Sequence, residues 1–476
     1  MADTRVDDPS EQREFGAVCA AVSTPPGQSG LAVIRLSGPN SAKAADRLFR
    51  PASPRFPMVD DMAGYTCAVG NIIDPADDSL IDQVVITRFT APHSFTGEEV
   101  VEISCHGSAA VKRRILDLLF RIGVQPAGPG EFSRRAFLNG KMDLAQAEAV
   151  MDLIQADARR AARAAADQLQ GRLSAQVREQ ATGLYRLLAQ IELILEYPEH
   201  EDSDLAIRQL RQQLSGAESR LSGWTMSYRQ GRLLREGLTV VIAGRPNAGK
   251  SSLLNALAGQ DRAIVTPIPG TTRDTIEIRI DLDGLPVNLV DTAGLHESAD
   301  PIEHLGIARS HEAMKQADLV FWLLSPPVAD LADELATIQA VDGPPVIILA
   351  GKDDLRQTRD LLDALRSFFP DRKILPCSAI TGEGLDEIRQ SIRDFYEQNG
   401  STSDDDLIIT SSRHLVCLER AVDQVAQAGQ VLAAGLTLDI AASLVRGSLD
   451  ALAELTGDQV SEELIQTIFS RFCVGK

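Results

Sequence analysis

"LTVVIAGRPNAGKSSLLNALAG", residues 238–259, sets an apolar, β-branched run before a glycine-rich turn and a run of helix formers after it. Inside it, "GRPNAGKS", Gly244 to Ser251, fits GxxxxGK[ST] in the strand–turn–helix context that separates a phosphate-binding loop from an ordinary turn. Glycines there let backbone N–H groups close around phosphates at the positive end of a helix. Lys250 is then expected to neutralise the outer phosphates, and the Ser251 hydroxyl to bind Mg2+. Strands and helices alternate onward to about residue 395, which predicts a doubly wound α/β domain.

Three further signals follow in the order a GTPase requires. "GTTRD" (270–274) offers Thr272 as a second Mg2+ ligand on a switch loop, and "DTAG" (291–294) puts Asp291 near the metal and the Gly294 amide near the γ-phosphate. "CSAITGEG" (377–384) resembles the loop that covers guanine, and together these motifs resemble the translation-factor class of GTPases. The expected nucleotide contacts are Asn247, Ala248, Gly249, Lys250, Ser251 and Ser252, then Thr266, Pro267, Ile268, Pro269, Gly270, Thr271 and Thr272. Asp291, Thr292, Ala293 and Gly294, with Lys352, Asp354, Ser378 and Ala379 on the base side, complete the set.

Two positions depart from that pattern. The base-reading motif, usually NKxD, here reads "GKDD", with Gly351 at the asparagine position. Asp354 still accepts from guanine N1–H and the exocyclic amine, so guanine selectivity is expected to survive. Loss of one amide hydrogen bond costs about 0.5–1.5 kcal/mol, or roughly a three- to tenfold weaker affinity. Leu295 follows DTAG where some GTPases carry a water-orienting glutamine, so another polar group must orient the water and another positive charge must serve the transition state. Glu303 in "HESADPIEHLG" is a candidate for the first role, although by residue type it reads first as a solvated carboxylate at a helix start.

Outside this block, 476 residues imply about three domains. Residues 15–140 mix short β-rich runs ("LAVIRLSG", "DQVVITRFT", "VVEISCHG") with a helix near "AAVKRRILDLLFRIG", an α+β pattern. From Glu131 to Tyr197 no proline occurs, and "MDLAQAEAVMDLIQADARRAARAAADQLQGRLSAQV" reads as helix. A second helical run follows "YPEHED", and helix returns from about residue 408. The economical architecture is a multidomain α/β plus α chain: an N-terminal α+β domain (1–140), a helical domain (141–236 and 396–476) and a P-loop domain (237–395) inserted into it.

Composition narrows the setting. The net charge of −20 argues against an unspecific grip on nucleic acid without excluding a local basic patch or a more basic partner. No apolar run approaches the ~18–20 residues that span a bilayer, and the polar, acidic start resembles no signal or transit peptide. Six cysteines form no CxxC, which suits a reduced cytoplasmic compartment. "CVGK" (473–476) has only Val474 of the aliphatic pair a prenylation box needs, and no basic cluster precedes it.

Residues across nearly the whole chain carry one resemblance. "STPPGQSGLAVIRLSGPNS", "FTGEEVVEISCHG", "PGEFSRRAFLNGKMDLAQAEAVMDLI", the block around residue 244 and "IFSRFCVGK" closely resemble the MnmE (TrmE) tRNA-modification GTPases. That resemblance implies an N-terminal folate-binding-like domain that also dimerises, a helical domain and an inserted Ras-like GTPase domain. It implies a tetrahydrofolate one-carbon donor contacted by Arg35, Glu102, Lys141 and Lys476; by sequence alone the first three also read as surface ion-pair residues. It implies K+ in place of an arginine finger, held by Asn247, Thr266, Ile268 and Thr271 where two GTPase domains meet, with Glu303 orienting water. His296 stands where arginine is frequent, so any role of that arginine is in doubt. The implied partners are the FAD- and NADH-using MnmG, in a heterotetramer or larger complex, and tRNA modified at C5 of the wobble uridine, with no membrane. "FCVGK" resembles the family terminus, and Cys473 reads either as a catalytic thiol near the folate pocket or as a packed, unreactive one. A GTP switch without folate chemistry is the alternative function.

Overall fold

The computed structural model describes residues 15–197, 203–260, 263–264, 276–291, 313–328, 331–341, 343–355, 357–398 and 407–476. The chain divides into two compact units, one of residues 1–151 with 453–476 and one of residues 152–452.

In the first unit, β1 (Cys19–Val22), β2 (Ser29–Ser37), β3 (Phe49–Pro51), β4 (Thr66–Ile73), β5 (Leu80–Phe89), β6 (Val100–Gly107) and β7 (Gln125–Pro126) form one sheet in the order β3-β4-β5-β6-β2-β1-β7. Alternation in β2 turns Ile34 and Leu36 inward, and the same period in β4, β5 and β6 buries Ile72, Ile86 and Ile103. The helix Ala109–Arg121 covers that face with Ile115, Leu118 and Leu119. Asp143 and Gln146 cap the helix Leu144–Gln155 reciprocally, each side chain accepting from the other's backbone N–H at 3.0 Å. Helix Glu462–Ser470 and the tail after it pack Ile468, Phe469 and Phe472 against Leu144, Ala147 and Met151.

The second unit contains the α/β domain expected from the sequence. Strands β8 (Leu238–Ala243), β9 (Ala263–Ile264), β10 (Ile276–Leu282), β11 (Leu285–Asp291), β12 (Leu319–Leu324), β13 (Val346–Ala350) and β14 (Ile374–Pro376) run in the order β14-β13-β12-β8-β11-β10-β9. The five from β14 to β11 are parallel, and β10 and β9 add antiparallel pairings at the edge. Strands buried on both faces read as near-continuous apolar runs. In β8, Val240 and Ile242 pack with the helices Lys250–Gln260 and Leu385–Gln398, while Val241 and Ala243 pack with Leu331–Gln339 and Gln357–Phe368.

The long helical run divides into Leu144–Gln155, Arg159–Leu169 and Arg172–Glu196, whereas the second run is continuous over Ser203–Glu236. Gly171, at φ 84°, ends one helix and starts the next, a backbone conformation glycine adopts without steric cost. Helices Ser412–Ala433 and Leu438–Thr456 follow the α/β domain, and the former packs along Ser203–Glu236. Among the described residues no helix is long and apolar enough to cross a membrane.

Candidate functional site

The phosphate loop joins β8 to the helix Lys250–Gln260. Gly244 has φ 137°, and a Cβ there would lie 2.3 Å from the Leu323 carbonyl oxygen, so this glycine is required by both backbone and space. Asn247 sits at the loop's tip, exposed, with φ 63°. Lys250 is buried and its Nζ donates to the carbonyls of Gly244 and Arg245, each at 2.7 Å. Burial pushes its pKa below the usual lysine value, opposed by the charges of Asp291 and Glu334. The cation is thus folded back over the loop whose N–H groups would cradle the phosphates.

Ser251 Oγ donates to Asp291 Oδ2 at 2.6 Å, because β11 runs parallel beside β8 and ends level with the start of the helix. A hydroxyl and a fully buried carboxylate side by side form a hard-oxygen donor pair suited to Mg2+, with phosphate oxygens and water completing an octahedron. Among the described residues no group of three or more His, Cys, Asp or Glu side chains could hold a metal.

A pocket on the base side brings Ala248, Gly249 and Ser252 together with Lys352, Asp354 and Ala379. Asp354 Oδ1 accepts from Ser378 Oγ at 2.8 Å, which orients the carboxylate. The two loops that carry them are tied by Asp353 N–H donating to the Cys377 carbonyl at 3.1 Å. Cys377 is buried under this floor and its thiol is pushed up to about 12 by burial, with Asp353 adding to the shift, so it packs rather than reacts. Thr266 to Thr272, Thr292 to Gly294, His296 and Glu303 lie outside the described residues.

Sequence reasoning missed two side chains at this site. Glu334, nearly fully buried, accepts from Arg245 Nε of the phosphate loop and, at 3.0 Å, from Trp322 Nε1. Ser325 Oγ, at the end of β12, donates to the Ala248 carbonyl at 2.7 Å. Neither belongs to a local motif; each meets the loop only through strand order.

A second cluster lies in the first unit. Arg35 and Glu102 are register partners on β2 and β6, joined at 2.8–2.9 Å. The guanidinium lies 5.1 Å from the Phe95 ring centroid and 5.4 Å from that of Phe132. Phe132 N–H donates to the Lys476 carbonyl at 3.1 Å and Gly130 N–H to the Cys473 carbonyl at 3.3 Å, so the tail seats on the segment whose ring backs Arg35. Lys141 Nζ donates to the Pro92 carbonyl at 3.1 Å, on the loop that leads to Phe95. Cys473 is exposed, whereas Cys19, packed against Phe132, is buried and its thiol is pushed up to about 11 by burial despite the opposing charge of Arg135. Arginine, carboxylate and stacked rings suit a flat ligand with donors and acceptors on its edge and a carboxylate beyond it.

Comparison with known proteins covers both regions. Residues 18–141 match the family model of the GTP-binding protein TrmE N-terminus, and residues 144–473 match that of the MnmE helical domain. The tRNA modification GTPase MnmE of Geobacillus thermodenitrificans is 39% identical over 466 residues, 97% of this chain and 100% of that one. The tRNA modification GTPase MnmE of Heliobacterium modesticaldum is 40% identical over the same shares. Among solved structures, Era of Aquifex aeolicus is 25% identical, covering 39% of this chain and 66% of that one, with a TM-score of 0.28. With family models spanning both units and relatives matched end to end, the chain belongs to the MnmE (TrmE) family of tRNA modification GTPases and is a GTP hydrolase.

Proposed function

We propose that this GTPase is activated by K+ and works as a homodimer with MnmG, in a heterotetramer or larger complex, in the cytoplasm. The pair installs a carboxymethylaminomethyl or aminomethyl group at C5 of the wobble uridine of certain tRNAs. Tetrahydrofolate supplies the one-carbon unit when bound, and FAD and NADH serve the partner.

In this reading the backbone from Asn247 to Ser252 holds the phosphates, and Lys250 turns from its loop carbonyls to them. Ser251 and Asp291, joined by Thr272, would hold Mg2+, which would neutralise charge on the outer phosphates. Thr292, Ala293 and Gly294 face the γ-phosphate and Glu303 orients the attacking water. Lys352, Asp354, Ser378 and Ala379 take the base. Asn247 would hold K+ with Thr266, Ile268 and Thr271 when two GTPase domains meet, and Pro267, Pro269 and Gly270 join the nucleotide contacts. Arg35, Glu102, Lys141 and Lys476 would hold the folate, with Cys473 as the candidate catalytic thiol beside them.

The observation that carries the nucleotide part is the Ser251–Asp291 pair at 2.6 Å beside a phosphate loop and a carboxylate-lined base pocket. GTP hydrolysis in matched KCl and NaCl, at GTP concentrations high enough to offset the missing asparagine, tests the reading. Stimulation by K+ that is lost in Asn247→Ala supports it. Equal rates in both salts, together with no binding of tetrahydrofolate, would favour a GTP switch without folate chemistry.

A further inference from the structure

The usual base-reading motif, NKxD, puts an asparagine where this chain has Gly351, and the structure shows what occupies the space. Gly351 carries no left-handed φ, so its backbone does not require glycine. The space beside it is taken by two side-chain tips: a Cβ at 351 would lie 2.5 Å from Ser325 Oγ and 2.9 Å from Leu323 Cδ1. Below about 3.0 Å one of the two groups must move. Any side chain at 351 and the hydroxyl at 325 therefore compete for one volume.

Ser325 uses that volume. Its Oγ donates at 2.7 Å to the carbonyl of Ala248, two residues before Lys250 in the phosphate loop. Gly351 N–H donates at 2.7 Å to the Leu324 carbonyl, one residue before Ser325, so the base-side loop is fixed to the segment that carries the hydroxyl. β12 and β13 are adjacent and parallel, with Leu324 opposite Ala350, which brings residues 325 and 351 level at the strand ends. Ser325, Gly351 and Ala248 all line the base pocket.

We propose that Ser325 is a positioning residue for nucleotide binding: its hydroxyl ties the phosphate loop to the base-reading loop, and Gly351 is glycine to make room for it. This rests on the reading of that pocket as the guanine site. Ser325 reads no base atom. It sets the distance between the loop that takes the phosphates and the loop that takes the base, so its loss weakens all guanine nucleotides alike and leaves base choice intact.

The test measures equilibrium affinity for GDP, GTP and ADP in the full chain, with thermal unfolding alongside, for wild type, S325A, G351N and the double variant S325A/G351N. Removing one neutral hydrogen bond in S325A lowers GDP and GTP affinity equally, by about three- to tenfold, with the GDP-to-ADP ratio unchanged and Tm lowered by no more than a few degrees, since the same bond is made without nucleotide. G351N weakens binding as S325A does, because its Cβ displaces the serine hydroxyl from the Ala248 carbonyl. The double variant binds better than G351N, since alanine removes the atom in the way, and the two effects are non-additive. Unchanged affinity in S325A, or strictly additive losses, would overturn the tether while leaving the guanine pocket standing. A wild type that does not prefer GDP to ADP would instead overturn the pocket reading, and the tether with it.

Discussion

At the scale of single residues, the proposed base site rests on Asp354, whose carboxylate is oriented by the Ser378 hydroxyl. A carboxylate only accepts, and guanine offers it two donors; an asparagine presents one acceptor and one donor. Hydrogen bonds to charged groups are worth about 1.5–3 kcal/mol. Asp354→Asn is therefore expected to weaken GTP binding by at least about tenfold. It should also improve binding of xanthosine triphosphate, which has a carbonyl in place of the amine; a competition titration of the two nucleotides reads both changes. The cysteines give a second expectation. Cys67 and Cys473 are exposed while Cys19, Cys105, Cys377 and Cys417 are buried. Burial pushes the thiols of Cys19 and Cys105 up to about 11. A short alkylation at neutral pH, mapped by mass spectrometry, should modify Cys67 and Cys473 first, and prior labelling of Cys19 would contradict the packing described. Asp354 and Lys250 were legible from motif spacing alone. Ser325 and Glu334 were not, because each acts on the phosphate loop from another strand or helix.

At the scale of elements, the phosphate loop and the tail each depend on one glycine. Gly475 has φ 94°, and a Cβ there would lie 2.0 Å from the Val22 carbonyl oxygen. The left-handed conformation alone costs an L-residue roughly 1–2 kcal/mol, and the contact forces the tail outward. Gly475→Ala should therefore speed hydrogen exchange at the Gly130 and Phe132 amides, which donate to Cys473 and Lys476. Exchange as slow as in the wild type would mean that the tail is held elsewhere. Strands β2, β5 and β6 were readable as alternating or β-branched runs, and the helix after the phosphate loop followed from its motif. The division of the first helical run into three was not, because a run of alanines fits one long helix as well as three short ones and packing decides where it ends.

At the scale of the whole molecule, residues 453–476 cluster with residues 1–151 in one compact unit, while the family model of the helical domain runs on to residue 473, the grouping expected from the sequence. Phe469, 2% exposed, is central to that union, packing against Phe137 and Phe472. Phe469→Ala should cost about 3–5 kcal/mol. Both tryptophans, Trp224 and Trp322, lie in the other unit, so their fluorescence should report little change while hydrogen exchange across residues 1–151 accelerates. The sequence by itself determined the alternation of strands and helices around residue 244, the phosphate-loop motif and the family, because these are set by local periodicity and by motifs whose residues stand close in the chain. Only the tertiary structure decided that Ser325 fills the room left by Gly351, that Phe132 backs Arg35, and that the tail carbonyls accept from the Gly130 and Phe132 amides. Those are contacts between residues tens to hundreds of positions apart, and which of them form depends on strand order and side-chain volume rather than on any pattern along the chain.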